Sequence, residues 1–193
     1  IELISEGEEI LRIEKQFDSL AQSVGIVGKD LAAAIEKSKG PLVDMDEALK
    51  ASSEAMVKLG MNANKIPEIF ELSRKVSKVF GGEVIDNLDK ITLAISTGNQ
   101  RYLKRIGLQI DADEANKKYA MNLGKTVTSL TEFEKQQAML NEVMEKGEQK
   151  FKGISLSSDT LKSQAKSIAI AFKDLRDEIA KVFAEMFGGK SGF

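Results

Sequence analysis

Neither cysteine nor histidine occurs anywhere in the 193 residues of this chain. Their absence removes thiol nucleophiles, disulfides, thiolate metal sites and the commonest general base together. Structural zinc goes with them. Tryptophan is also missing and only two prolines are present, while Ala, Glu, Lys, Leu and Ile dominate, a balance that points to helix. No apolar run approaches the ~20 residues that a membrane-spanning helix needs. No charged stretch followed by an apolar one marks a secretory signal. The formal charge of −2 leaves no basic footprint for nucleic acid. What is present is 42% hydrophobic and 30% charged, enough apolar surface for one domain or one compact piece plus extensions. The chain begins at Ile1 and not at a methionine, which gives the expectation of a piece of a longer protein.

The opening segment places Leu3, Ile10, Phe17, Val24 and Leu31 seven apart, with Ile13, Leu20 and Val27 three positions after the second to fourth. That is an a/d heptad pattern. Glu6 and Gly7 spoil the first repeat, and Gly25 and Gly28 should loosen or break the helix late in the run. A coiled coil and a single amphipathic helix packing on its own domain both fit. Lys39-Gly40-Pro41 is a stop. Asp44 precedes Glu47 at capping-box spacing and opens a helix ending near Leu59-Gly60, with Ala48, Ala51 or Ser52, Ala55, Met56 and Leu59 inward. Pro67 suits the first turn of the next helix, which carries Ile69, Phe70, Leu72, Val76, Val79 and Phe80 up to Gly81-Gly82.

Val84, Ile85, Leu88, Ile91 and Ile95 keep helical period until Gly98; a two-turn helix over Asn99 to Ile106 then stops at Gly107. Asp111 and Asp113 favour the start of a helix that runs to Gly124. Thr131 and Glu134 repeat the capping box before a long helix through Leu140, Val143 and Met144. Gly147 to Ser158 reads as a hinge, after which Ser158 or Asp159 caps the last helix. There Leu161, Ala165, Ile168, Phe172, Leu175, Ile179, Val182 and Met186 step alternately by four and three, the cleanest heptad in the chain. Phe183 and Phe187 widen that stripe, and Gly188-Gly189 ends it. No alternating strand pattern exceeds Ile106 to Ile110. The predicted class is all-α: an irregular bundle of short glycine-bounded helices flanked by longer heptad-patterned ones. The expected units are a heptad segment over 1–40, a compact multi-helix module over 41–152, and a heptad helix with a frayed tail over 153–193.

Gly124-Lys125-Thr126 resembles the end of a phosphate loop, but Tyr119 stands where the first glycine belongs and no strand precedes it. The better reading is Gly124 closing a helix with Leu123 buried beside it. Asp111-Ala112-Asp113-Glu114 lacks the spacing and central glycine of a calcium loop, and reads as helix N-terminal charge. Arg101, Lys104 and Arg105 form a basic group whose default is a solvated face; contact with an acidic partner or a nucleic acid backbone is the weaker reading. Most carboxylates lie beside lysines at helix spacing. The scattered methionines read as core filling. No catalytic residue, cofactor or metal ligand is nominated, and the chain is expected not to be an enzyme.

One ordered series is more specific. Thr97-Gly98 is followed by Leu103-Lys104-Arg105-Ile106-Gly107, Tyr119-Ala120 and Leu123-Gly124-Lys125-Thr126-Val127. Then come Leu130-Thr131-Glu132, Glu134-Lys135, Gln137-Ala138 and Leu140-Asn141, with looser likeness at Leu59-Gly60, Gly81-Gly82 and around Leu175. This series resembles the helical region of bacteriophage tail tape measure proteins, over the middle two-thirds of the chain. The resemblance implies a virion structural protein, assembled in the bacterial cytoplasm. Such proteins fill the tail tube in several copies, set its length and leave at genome ejection. Implied partners are sister copies and tube, tip or baseplate proteins, with no specific nucleic acid. The glycine stops make Pro41 to Lys152 a poor straight ruler, so this part is expected to be a compact module at an end of the tube. The flanking heptads are expected to join it to self-associating coiled coil through Leu161, Ala165, Ile168, Phe172, Leu175, Ile179, Val182 and Met186. The alternative is an adaptor or secreted helical-bundle protein that binds partner helices through that last stripe.

Overall fold

The computed structural model describes residues 2–156 and 161–187, and every regular element among them is helical. In chain order these are α1 (Glu2–Ser23), α2 (Gly28–Lys39), α3 (Met45–Leu59), a 3-10 segment (Gly60–Lys65), α4 (Ile66–Phe80) and α5 (Val84–Thr97). They continue with α6 (Arg101–Arg105), α7 (Ala112–Asn122), a 3-10 turn (Val127–Ser129), α8 (Glu132–Phe151) and α9 (Leu161–Phe187). The all-α bundle expected from the sequence is the observed class.

The helix boundaries follow from local chemistry. Asp44 accepts a hydrogen bond from the Glu47 N–H at 3.0 Å, satisfying one of the free donors of α3. Asp111 does the same for the Asp113 and Glu114 N–H groups at the start of α7. At Thr131 both halves of the capping box form: Glu134 N–H donates to Thr131 Oγ1 and Thr131 N–H to Glu134 Oε2. Pro67 occupies the first turn of α4, where no partner for its nitrogen is needed. Helix α7 ends with Gly124 at φ 65°, its N–H on Met121 O and the Lys125 N–H on Ala120 O. Leu123 departs from the expectation: it is 44% exposed, because the inward residues of α7 are the small Ala115 and Ala120.

Helix α4 is the centre of the bundle. Ile66, Ile69, Phe70, Ser73 and Val76 recur at three- and four-residue steps and are fully buried, and α2, α5 and α8 pack around them. One apolar core joins Ile13 and Phe17 of α1, Leu31 and Ile35 of α2, Met56 and Leu59 of α3, the α4 set, Leu88 and Ile91 of α5, and Leu140, Val143 and Phe151 of α8. The core therefore continues across the boundary expected at residue 40. Phe17 and Ile13 bury their heptad positions inside this chain, the single amphipathic helix of the two readings. Gly25, at φ 78°, does separate α1 from α2, whereas Gly28 is the first residue of α2: the turn closes with Ile26 N–H on Ala21 O at 2.8 Å.

The extended link after α6 also serves the core, burying Ile106, Leu108 and Ile110. The expected hinge beginning at Gly147 is different. Helix α8 runs through Gly147 to Phe151, and Gly147 is buried within it. The absent side chain makes room for Leu72 of α4, as taken up below. The expected cap at Ser158 or Asp159, the stop at Gly188-Gly189 and the tail after it lie outside the described residues.

Candidate self-association surface

Helix α9 is organised unlike every other long helix of the chain. Its apolar residues Ile168, Phe172, Leu175, Ile179, Val182 and Met186 all face outward, with exposures from 44% at Val182 to 70% at Phe172. Phe183 widens the exposed stripe, 42% accessible. The side chains of Leu161, Ala165 and Phe187 lie outside the described residues. Apolar residues left this exposed at a and d positions form a surface of the kind that seats another helix.

The face of α9 that does meet the bundle is the opposite one. In the heptad that puts Phe172, Ile179 and Met186 at a, the buried positions Asp177, Ala180 and Ala184 fall at f, b and f. Helix α1 packs along this side. Its Gly7 lies so close that a Cβ there would overlap the Ala180 carbonyl oxygen and come within 2.9 Å of the Ala184 Cβ. Glycine against alanine lets two helix backbones approach where larger side chains would hold them apart. Gly7, read as a flaw in the first heptad, is the contact point of the two longest helices. A signal for this was present: Ala180 and Ala184 stand one turn apart on the non-heptad side of α9.

Around that crossing, charges are matched. Lys181 Nζ donates to Glu14 Oε1 of α1 at 2.7 Å. Lys173 Nζ lies 2.6 Å from Asp46 Oδ1 and 3.3 Å from Asp44 Oδ2 at the start of α3, and 3.1 Å from Asp177 Oδ2. Arg176 pairs with Glu6. Burial alone would lower the Lys173 ammonium, but the hydrogen bonds to Asp46 and Asp177 outweigh it and raise it above the ordinary lysine range. Burial would likewise raise Asp46, yet its contacts with Asp44 and Lys173 hold it at about 2. Asp44 moves the other way, raised by burial and by the hydrogen bond to Asp46. The second carboxylate oxygen of Asp177, Oδ1, is buried with no hydrogen-bond partner; Arg176 Nη2 stands 3.6 Å away.

The remaining motifs have structural places. Arg101, Lys104 and Arg105 lie exposed on α6. Lys125 of the phosphate-loop lookalike pairs with Glu134, joining the end of α7 to the start of α8. Met56 and Met139 fill core, whereas Met61 and Met121 are exposed. Among the described residues no group of three or more acidic side chains is placed to hold a metal ion, and no helix is long and apolar enough to cross a membrane. The arrangement leaves the apolar stripe of α9 exposed while α1 packs along its other side. No protein-family model matches the chain, and no solved structure matches it.

Proposed function

We propose that this chain is a structural segment of a phage-type tail tape measure protein: a compact helical head, α1 to α8, that carries a self-associating helix, α9. The observation that carries this reading is the outward apolar face of α9 from Ile168 to Met186, which the described residues leave exposed. The series from Thr97 to Asn141 supports the family; it spans the end of α5 to the middle of α8, and its glycines Gly98, Gly107 and Gly124 each take positive φ at a helix end. In the tail, sister copies would pair through α9. The heads would lie at one end of the tube against tip or baseplate proteins, and the whole would leave the virion with the genome.

Helix adds ~1.5 Å per residue, so the 193 residues drawn out as one rod would span roughly 290 Å. The compact head makes a different prediction. Deleting the head from the parent gene and imaging the tails should give failed assembly or tails without a proper tip, at unchanged tube length. Functional tails shortened by roughly 225 Å, ~1.5 Å for each residue of the deleted head from Glu2 to Phe151, would instead make the segment a ruler shaft. The seam is tested by sedimentation: the chain should associate with rising concentration, and Leu175→Asp with Ile179→Asp should abolish this, since two carboxylates cannot stay in an apolar seam unpaired. Association equal in the parent and the double variant would remove the seam.

A further inference from the structure

The described side chains of α9 dock on the bundle mainly through charge and two small residues, whereas α1 to α5 and α8 dock through the apolar core. We infer that α9 is a releasable arm, held on α1 and α3 by charge and not by the core, so that salt frees it while the α1–α8 bundle stays folded. Among its described side chains, none belongs to the apolar core that joins Ile13 to Phe151. The buried apolar residues among its described side chains are the two alanines, Ala180 and Ala184. The other contacts of its described side chains with α1 and α3 include the ion pairs of Lys173 with Asp46 and Asp44, Arg176 with Glu6, and Lys181 with Glu14.

Those pairs sit in reach of water. In each pair one side chain, Arg176, Glu14 or Lys173, is more than a third exposed while its partner is less so, and salt screening acts from the exposed side. Docking also carries a penalty, because the Asp177 Oδ1 atom is shut away from water without a hydrogen-bond donor. The close approach at Gly7 fixes where α9 crosses, but glycine and alanine offer little surface to hold it there. Apolar residues that could have anchored the helix face the other way. The docked state thus combines a screenable attraction, a buried acceptor without a hydrogen bond and, among the described side chains, little apolar burial, the profile of a unit that opens well below the free energy of global unfolding.

The experiment uses the full chain with Leu175→Asp and Ile179→Asp, so that any seam between copies is absent and only docking is read. The chain has no cysteine of its own, so Ser19→Cys on α1 and Glu185→Cys on α9 carry the only two spin labels. Their separation should be a single narrow distribution at low salt and broaden in 1 M sodium chloride. There the screening length falls from about 10 Å to about 3 Å. Amide exchange over residues 173–184 should rise about tenfold or more on the same change. A control pair within the bundle, Ser19→Cys with Gln149→Cys, should stay narrow.

Lys173→Glu with Lys181→Glu should broaden the α1–α9 distance already at low salt. Lys181→Glu alone should do so less, and adding Glu14→Lys should narrow it again. An α1–α9 distance unmoved by both salt and the double reversal would overturn the arm. So would a control pair that broadens together with it, since α9 would then be part of one cooperative fold. Sedimentation of the parent chain reads the seam independently, so the loss of either idea is visible without the other.

Discussion

Leu72 of α4 rests directly on Gly147 of α8: a Cβ built at position 147 would lie 2.9 Å from Leu72 Cδ1 and 3.1 Å from Cδ2. Both residues are buried, and the contact brings the central helix against α8. Two effects oppose each other when Gly147 becomes alanine. Alanine favours helix by about 1 kcal/mol, whereas overpacking a closed core costs about 1–3 kcal/mol. Gly147→Ala should therefore destabilise by up to about 2 kcal/mol in urea unfolding. In a Leu72→Ala background the clash is gone, and the same change should stabilise by up to about 1 kcal/mol. Equal effects in both backgrounds would show that the two residues do not meet.

Ser52 lies fully buried in α3 with no partner for its hydroxyl. A buried hydroxyl without a hydrogen bond is a liability of about 1–3 kcal/mol, and alanine fits the same space with better helix propensity. Ser52→Ala should raise stability by about 1 kcal/mol, a shift of roughly 2–4 °C in Tm for a chain of this size. A fall in Tm would reveal a partner for that oxygen.

The Tyr102 hydroxyl donates to Asn87 Oδ1 at 2.5 Å, and Asn87 in turn donates to Ser77 Oγ at 2.7 Å. This chain of bonds ties α6 and α5 to the end of α4. Tyr102→Phe leaves the Asn87 oxygen unmet and should cost about 1–2 kcal/mol. Burial raises the phenol to about 12. The unfolded chain, with its ordinary value near 10, ionises first, so stability falls as pH rises between about 10 and 12. That tyrosine component should be absent from the difference curve of the phenylalanine variant; identical alkaline slopes would contradict the buried phenol.

At the start of α8, Thr131→Ala removes one half of the capping box and should lower stability by about 1 kcal/mol. Glu134 also accepts from Lys125, so Glu134→Ala breaks the other half of the box and this ion pair together. The double variant should cost less than the sum of the singles, because each half of the box depends on the other. Additive losses would mean that the two side chains act separately.

Acid should reach the α9 contact through Asp46. Its carboxyl is held at about 2, below the unfolded value near 4, so its support for docking is complete above about pH 4 and is lost as pH falls toward 2. Asp44 is raised instead and takes up its proton earlier on the way down, partly offsetting this. Exchange over 173–184 in the seam-free double variant should rise steeply between about pH 4 and pH 2. Asp46→Asn should show high exchange at neutral pH and a flatter acid response; unchanged profiles would disconnect Asp46 from α9.

The helix ends were legible because caps are local. Asp44, Asp111 and Thr131 bond to N–H groups two or three residues on, so the neighbouring sequence suffices. Gly98, Gly107 and Gly124 read correctly as stops for the same reason. Gly7 and Gly147 were misread, since nothing local distinguishes a glycine that ends a helix from one that admits a neighbour. The first requires positive φ; the second requires Ala180 or Leu72 to be there. The heptad at Ile10, Ile13 and Phe17 was equally legible as a stripe, but not what it would lie against.

By itself the sequence determined the helical class, the places where helices start and stop, and the apolar stripe on each. These follow from backbone hydrogen bonds and side-chain periodicity within a few residues. Only the tertiary structure decided which stripes are buried, because burial is a competition among surfaces far apart in the chain. The stripe of α4 is enclosed by α2, α5 and α8. Helix α9 instead lays its small and charged side on Gly7, Glu14 and Asp46, and leaves Phe172, Leu175 and Ile179 to the solvent.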